Sequence, residues 1–113
     1  MRLAECDGKV LLRRHGLAVP RGVLLDGEAP AEAAQWAGHL LKAQVLEGGR
    51  GKRGLVRRLS GLEALADARQ AIAAALDDAG APLLLEEALP IAREIYVAVR
   101  MDGTRPVCAA RAN

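Results

Sequence analysis

Aromatic residues are almost missing from this sequence, which has Trp36, Tyr96 and no Phe among its 113 residues. Its hydrophobic fraction is nevertheless 51%, and it is supplied mainly by Ala, Leu and Val. Close packing must therefore come from aliphatic side chains, and the aromatic platforms on which single-stranded nucleic acids stack are scarce. A chain of this length corresponds to one domain at most and buries only about two thirds of its unfolded surface, so the expected core is modest.

Cysteines and long apolar runs are also few. Cys6 and Cys108 stand near opposite ends without a CxxC or Cys/His spacing, so the sequence predicts neither a zinc site nor a disulfide framework. No apolar run approaches the roughly 20 residues that a membrane span needs, and the N-terminus has no apolar signal segment. We therefore expect a cytoplasmic protein with reduced thiols, no metal ligands of its own and no membrane partner.

A strong charge of one sign is missing from the chain as a whole, because 16 basic and 14 acidic residues leave a net charge of +2. This balance does not predict a nucleic-acid partner, which is typically bound by a strongly basic domain. The positive charge is instead concentrated in one segment, and such a cluster says more about function than the net charge does. Residues 48–58 contain four glycines and five cations: Gly48, Gly49, Gly51, Gly54, Arg50, Lys52, Arg53, Arg57 and Arg58.

The apolar periodicity predicts an α+β chain. Gly16 stands where the C-terminal cap of a first helix belongs, Ser60 and Glu63 match a capping box, and Asp102-Gly103 is typical of a hairpin turn. The predicted helices are residues 3–15, 31–37 and 62–80, and the predicted strands are residues 23–25, 39–46, 55–59, 83–85, 95–101 and 105–111.

The glycine-rich segment lies between two predicted strands, and Lys42 projects from the first of them. Backbone N–H groups in a glycine turn can converge on phosphate oxygens, because the main chain approaches closely where no Cβ is present. No Gly-Lys-Ser/Thr opens a helix here, which excludes the ordinary P-loop. Two other interpretations remain: a solvated hairpin that its arginines keep soluble, and an RNA contact, which would lack nearby aromatic side chains.

The segments LKAQV, GGRGKRG, LLLEE and AREIYVAV follow one another as in the β subunits of succinyl-CoA synthetase and related ADP-forming acid-CoA ligases, such as malate-CoA ligase. The opening LLRRHGLAVPRG is similar to this family too, so the resemblance runs from about residue 3 to 111. It implies the ATP-grasp superfamily, in which two α+β lobes close on a nucleotide. The chain would be the N-terminal ATP-grasp subdomain, with a mixed or antiparallel sheet flanked by helices on one side. Residues 1–113 would form a single partial domain, and the helix within residues 1–19 would pack on a second lobe.

The resemblance also implies roles for the residues around the glycine turn, which would fold over the triphosphate. Lys42 corresponds to a strand lysine that contacts phosphate and the edge of the base. Gly49, Arg50 and Gly51 correspond to the turn that contacts the nucleotide, and Lys52 is expected to be a further charge partner of the phosphates.

Three more nucleotide-binding positions follow from the resemblance in the last third of the chain. Glu86 corresponds to the glutamate at the hinge between the lobes, where the adenine is recognised, and Leu89 lies on the same connecting segment. Glu94 corresponds to the acid expected to bind the ribose hydroxyls. His15 and His39 are expected to be structural, because the histidine that becomes phosphorylated in this family lies on the partner α subunit. We expect no catalytic residue in this chain.

The activity implied for the complete protein is an ADP-forming acid-CoA ligase. ATP or GTP would phosphorylate the α-subunit histidine, the phosphoryl group would pass to a dicarboxylate, and CoA would displace it as a thioester. Mg²⁺ would be held by residues absent from this chain, and the 113 residues alone are expected to be inactive. Two alternatives stay open: the nucleotide lobe of an ATP-citrate lyase, and a stand-alone module that binds RNA or a protein through its basic hairpin.

Overall fold

The computed structural model describes residues 2–46 and 49–112 and shows an α+β fold, as the sequence predicts. In this part of the chain the helices are α1 (Glu5–Arg14) and α2 (Leu65–Leu76), with 3-10 helices at Ala31–Gln35 and Leu62–Ala64. The strands are β1 (Gly22–Leu24), β2 (His39–Ala43), β3 (Val56–Leu59), β4 (Leu83–Glu87), β5 (Ile95–Asp102) and β6 (Arg105–Ala112).

Strands β1 to β4 form one antiparallel sheet in the order β1-β4-β2-β3, and β5 and β6 form a separate antiparallel hairpin. In the register of the large sheet, Leu41 of β2 is opposite Leu85 of β4, and the next residue, Lys42, is opposite Leu84. Consecutive residues of a strand point to opposite faces, whereas paired residues share a face. Leu41 and Leu85 therefore lie on one face of the sheet, and Lys42 and Leu84 lie on the other.

The face that carries Leu41 and Leu85 is packed into the hydrophobic core. Both side chains are fully buried, together with Ile72 of α2 and with Leu55, which follows the glycine turn. Helix α2 buries Leu65, Ala68 and Ile72, which recur at the helical spacing that the sequence predicts. The core is aliphatic apart from Trp36, as expected from the scarcity of aromatic residues.

Helix α1 contacts the opposite face of the sheet. Its residues Glu5 and Lys9 reach Lys42 and Glu86, whose side chains alternate along their strands with the core residues. Of the two α-helices that the structure describes, only α2 covers the core face. The predicted arrangement with helices on one side of the sheet therefore applies to α2, whereas α1 lies on the other side. No residue of α1 is buried, and ion pairs and hydrogen bonds supply the contacts of its first turns.

Two predicted glycine turns are present in the structure, and one predicted helix is shorter than expected. Gly16 ends α1 with a φ of 80°, and Gly103 turns the β5–β6 hairpin with a φ of 65°, so both glycine predictions are confirmed. The helix predicted over residues 31–37 is only the 3-10 helix Ala31–Gln35, because the chain is extended on both sides of it, at Pro30 and Trp36.

The prediction of a capping box at Ser60 and Glu63 is wrong. Gly61, rather than Ser60, precedes the 3-10 helix that leads into α2, and neither helix start has a side-chain cap hydrogen bond. His39 is buried at the beginning of β2, and its Nε2 donates to the carbonyl of Ala33 at 2.6 Å, a contact that favours a structural role. None of the helices in the described part of the chain is both long and apolar enough to cross a membrane.

Candidate functional site

Lys42 is the first component of the site, and the pleat of β2 sets its direction. Its neighbours Leu41 and Ala43 are fully buried in the core, so Lys42 projects from the opposite face of the sheet. Its Nζ donates to Glu5 Oε1 and to Glu86 Oε1, both at 2.8 Å. Burial would lower the pKa of Lys42, but the hydrogen bonds to the two carboxylates outweigh burial and raise that pKa above its usual value.

Glu5 gathers three cations from different parts of the chain. Its carboxylate accepts hydrogen bonds from Lys9 Nζ at 2.9 Å, from Lys42 Nζ and from Nη2 of Arg50 in the glycine turn. Burial would raise the pKa of this carboxyl, but the hydrogen bonds from Lys42, Lys9 and Arg50 outweigh burial and lower the pKa to about 2. Three cations thus converge on this one carboxylate.

Arg50 connects the glycine turn to this point. Besides the contact with Glu5, its Nη1 donates to the carbonyl of Ala43 at 3.0 Å, and its own carbonyl accepts from the backbone N–H of Leu55 at 2.9 Å. Gly49 and Gly54 have φ values of 74° and 73°, which favour glycine. The described part of the turn is therefore folded back onto β2; Gly48, which belongs to the same predicted segment, lies outside the described residues.

Glu86 completes the arrangement from β4. Its side chain is only 3% exposed, and it accepts hydrogen bonds from Lys9 and Lys42. We call Glu5, Lys9, Lys42, Arg50 and Glu86 the ion cluster. It contains three cations and two carboxylates, which leaves one net positive charge on this face of the sheet.

A cavity of about 230 Å³ lies beside the ion cluster, between α1 and the edge of the sheet at β1 and β4. Lys9 and Glu86 line its polar side, and Val10 of α1 lines its apolar side together with Leu24 and Leu84, which share the face of the sheet that α1 contacts. Helix α1 is thus joined to the sheet by polar contacts at its first turns, and the cavity extends along the helix from Cys6 to Arg13.

The structure brings together three of the eight residues predicted for the site: Lys42, Arg50 and Glu86. Gly49 and Gly51 are exposed in the turn next to Arg50. The other three, Lys52, Leu89 and Glu94, are also exposed, and no hydrogen bond or ion pair within the described residues joins them to the ion cluster.

Glu5 and Lys9 were not predicted from the sequence. The only local signal for them is their spacing, since a Glu and a Lys four residues apart form a typical ion pair on a helix. That signal does not show that the pair lies on the sheet beside Lys42. Across residues 2–46 and 49–112, no group of three or more His, Cys, Asp or Glu side chains is placed to hold a metal ion.

The lowered pKa of Glu5 predicts how stability depends on pH. Because its pKa is about 2 in the folded chain and 4.5 in the reference state, the ionised carboxylate stabilises the fold fully above about pH 4.5, and this contribution is lost as the pH falls towards 2. After a discount for partial exposure, we expect Glu5→Gln to lower the free energy of unfolding at pH 7 by about 1–2 kcal/mol.

Urea denaturation of the chain at several pH values between 2 and 7, followed by Trp36 fluorescence, measures this effect. The difference between the wild type and Glu5→Gln should shrink steadily below pH 4.5. Asp7→Asn is the control, since Asp7 lies exposed on the same helix and makes no ion pair within the described residues. A difference that stays constant from pH 7 to pH 2 would contradict the assignment.

Comparisons with known proteins identify the family of this chain. The family model described as "ATP-grasp domain" matches residues 2–110. The chain is 36% identical over 108 residues to the β subunit of the ADP-forming succinate–CoA ligase of Desulfurococcus amylolyticus, covering 90% of this chain and 28% of that protein. It is 34% identical over 106 residues to the ADP-forming sulfoacetate-CoA ligase subunit SqwK of an Acholeplasma species, covering 91% of this chain and 26% of that protein.

A third relative is the ADP-forming sulfoacetate-CoA ligase subunit SauC of Bilophila wadsworthia, at 38% identity over 108 residues, with 90% of this chain and 28% of that protein covered. The chain therefore spans only between a quarter and a third of the length of these relatives. The family match nevertheless extends over almost all of the described residues, and it agrees with the α+β fold and its antiparallel sheets. The chain belongs to the ATP-grasp domain family.

Proposed function

We propose that this chain is the nucleotide-binding lobe of an ADP-forming acid-CoA ligase, as part of a β subunit. The observation that carries the proposal is that Lys42, from the sheet, and Arg50, from the glycine turn, both donate hydrogen bonds to the carboxylate of Glu5. Two cations that hold one anion at this point can also hold the oxygens of a polyphosphate, since carboxylate and phosphate offer similar acceptors to Lys and Arg. Membership of the ATP-grasp family implies ATP as the nucleotide.

The nucleotide site that we propose consists of the eight residues predicted from the sequence. Lys42, Arg50 and Lys52 supply positive charge to the phosphates, and the turn supplies backbone groups at Gly49 and Gly51. The remaining three residues, Glu86, Leu89 and Glu94, are proposed to contact the base and the ribose. Closure of the turn on a nucleotide would bring Lys52 to the phosphates, whereas Glu94 must come close by a movement of the segment that precedes β5.

In the complete enzyme, this lobe positions the triphosphate and offsets its charge, which is the main contribution of the protein to phosphoryl transfer. We propose that the phosphoryl group passes through a histidine of the α subunit to a short dianionic acid and that CoA then forms the thioester, in the cytoplasm. ATP and GTP are both compatible with the cations described here. Mg²⁺ would be held by residues outside this chain, and residues 1–113 would form one partial domain, with α1 packing on a second lobe.

The test is the affinity of the complete protein for ATP. Lys42→Met removes a charge-assisted hydrogen bond to phosphate while keeping the aliphatic stem, and we expect it to raise the Kd for ATP about tenfold or more. Isothermal titration calorimetry measures the Kd.

Arg58→Met is the matched control, because Arg58 is an exposed cation on β3 outside the ion cluster. It should leave the Kd for ATP nearly unchanged. The RNA-binding alternative predicts the reverse: Arg58→Met would weaken binding to an RNA oligonucleotide, with a steep dependence on salt, and Lys42→Met would have no effect on ATP. That pattern would refute the nucleotide-lobe proposal.

A further inference from the structure

Glu5 occupies the position at which the proposed function requires phosphate. Its carboxylate lies between Lys42 and Arg50 and takes hydrogen bonds from both of them, and Lys9 adds a third. Lys42 also donates to Glu86, so two of its three N–H groups are already engaged by carboxylates. A polyphosphate therefore cannot accept all of the hydrogen bonds that these cations can donate while Glu5 remains in this position.

The way in which α1 is attached allows Glu5 to leave. No residue of α1 is buried, so the helix contributes little hydrophobic burial to the fold. Its first turns are joined to the sheet by the ion cluster, by the backbone N–H of Cys6, which donates to Gln44 Oε1 at 2.8 Å, and by Arg2, which donates to the carbonyl of Leu46. The cavity of about 230 Å³ lies beside these contacts.

Contacts of this kind are exchangeable, because a second anion can replace the carboxylate and α1 has no buried side chain of its own. A triphosphate carries more negative charge and more acceptor oxygens than one carboxylate, so it competes effectively for Lys42 and Arg50. Segments with few buried apolar contacts are also those that open at the lowest free energy.

We propose that Glu5 is an intramolecular anion that fills the phosphate position in the nucleotide-free chain, and that ATP binds by displacing Glu5 and releasing the first turns of α1. This inference rests on the proposed function and adds to it a residue that competes with the ligand. The docked helix lowers the apparent affinity for ATP, because only the fraction of molecules with Glu5 displaced is competent to bind.

The first experiment compares the Kd for ATP of the complete protein with that of Glu5→Gln. The glutamine keeps the size of the side chain and removes the competing charge, so we expect the Kd to fall about tenfold. The control Asp7→Asn removes one negative charge from an exposed position of the same helix and should change the Kd by less than about twofold. If Glu5→Gln increases the affinity for ATP clearly more than the affinity for AMP, the phosphates are the groups that compete with the Glu5 carboxylate.

The second experiment follows α1 directly through Cys6. Burial raises the pKa of the Cys6 thiol, so alkylation by iodoacetamide is slow while the helix is docked. We expect saturating ATP to increase the alkylation rate of Cys6 at least about threefold, measured by peptide mass spectrometry, while the exposed Cys108 reacts at a constant rate.

The outcomes separate this inference from the proposed function. If Lys42→Met weakens ATP binding but Glu5→Gln leaves it unchanged or weakens it, Glu5 positions the cations instead of competing with ATP, and only the inference fails. Protection of Cys6 by ATP would overturn the inference in the same way. If the wild type does not bind ATP and Lys42→Met changes nothing, the proposed function itself fails.

Discussion

Replacement of Leu85 by Ala is expected to lower the free energy of unfolding by about 3 kcal/mol, within the usual range of 2–5 kcal/mol for a fully buried leucine. Leu85 is 0% exposed at the centre of β4 and packs in the same cluster as Leu41 and Ile72. The substitution removes apolar contacts and leaves a cavity, because neighbours held by a sheet and a helix cannot collapse to fill it.

Urea denaturation of the chain, followed by the fluorescence of the single tryptophan, Trp36, measures the loss. That probe is suitable because Trp36 is itself part of the core. The control is Leu24→Ala, since Leu24 is about half exposed at the edge of the same sheet and should lose much less. Equal losses from the two substitutions would show that the core is not centred on the face of the sheet packed by α2.

The position of this core follows from the sequence to a large extent. The apolar runs in β2 and β4 predict largely buried strands, and the helical spacing of Leu65 and Ile72 predicts an amphipathic helix; the structure confirms both. The conformations of Gly16 and Gly103 were also predictable, because a positive φ is a local property that favours glycine. The capping box was not, because Gly61 inserts an extended residue between Ser60 and the helix start, and no propensity shows that insertion.

The candidate site was predictable only in part. Lys42 and Arg50 are eight residues apart, one on the strand before the glycine turn and the other within that turn, so the sequence indicates that they come together. Glu5 is 37 residues from Lys42, and its contact with that side chain depends on which face of the sheet α1 approaches. The sequence of α1, in which apolar and charged residues are mixed, does not indicate which face of the sheet the helix packs against. The resemblance to a family supplied the role that we propose for Lys42, whereas the ion cluster is evident only from the three-dimensional structure.

Glu86→Gln is expected to cause the other large loss of stability, about 3 kcal/mol, because it removes the carboxylate shared by Lys9 and Lys42 without changing the size of the side chain. Among the described residues, the two ammonium groups would then have only Glu5 as a counter-charge in a largely buried environment. The adjacent residue provides a matched control, since Glu87 pairs with the exposed Arg21. Glu87→Gln should cost far less, because exposed ion pairs are weakened by solvent.

The same measurement tells whether the loss comes from the ion pair or from some other effect of the substitution at Glu86. If the unpaired ammonium causes it, combining Glu86→Gln with Lys42→Met should cost less than the sum of the two single substitutions, because the methionine removes the charge that lost its partner. Additive losses would indicate that Lys42 and Glu86 are not coupled in the folded chain. Coupling would mean instead that the carboxylate predicted at the hinge also fixes the lysine on which nucleotide binding is proposed to depend, so that stability and affinity share one buried contact.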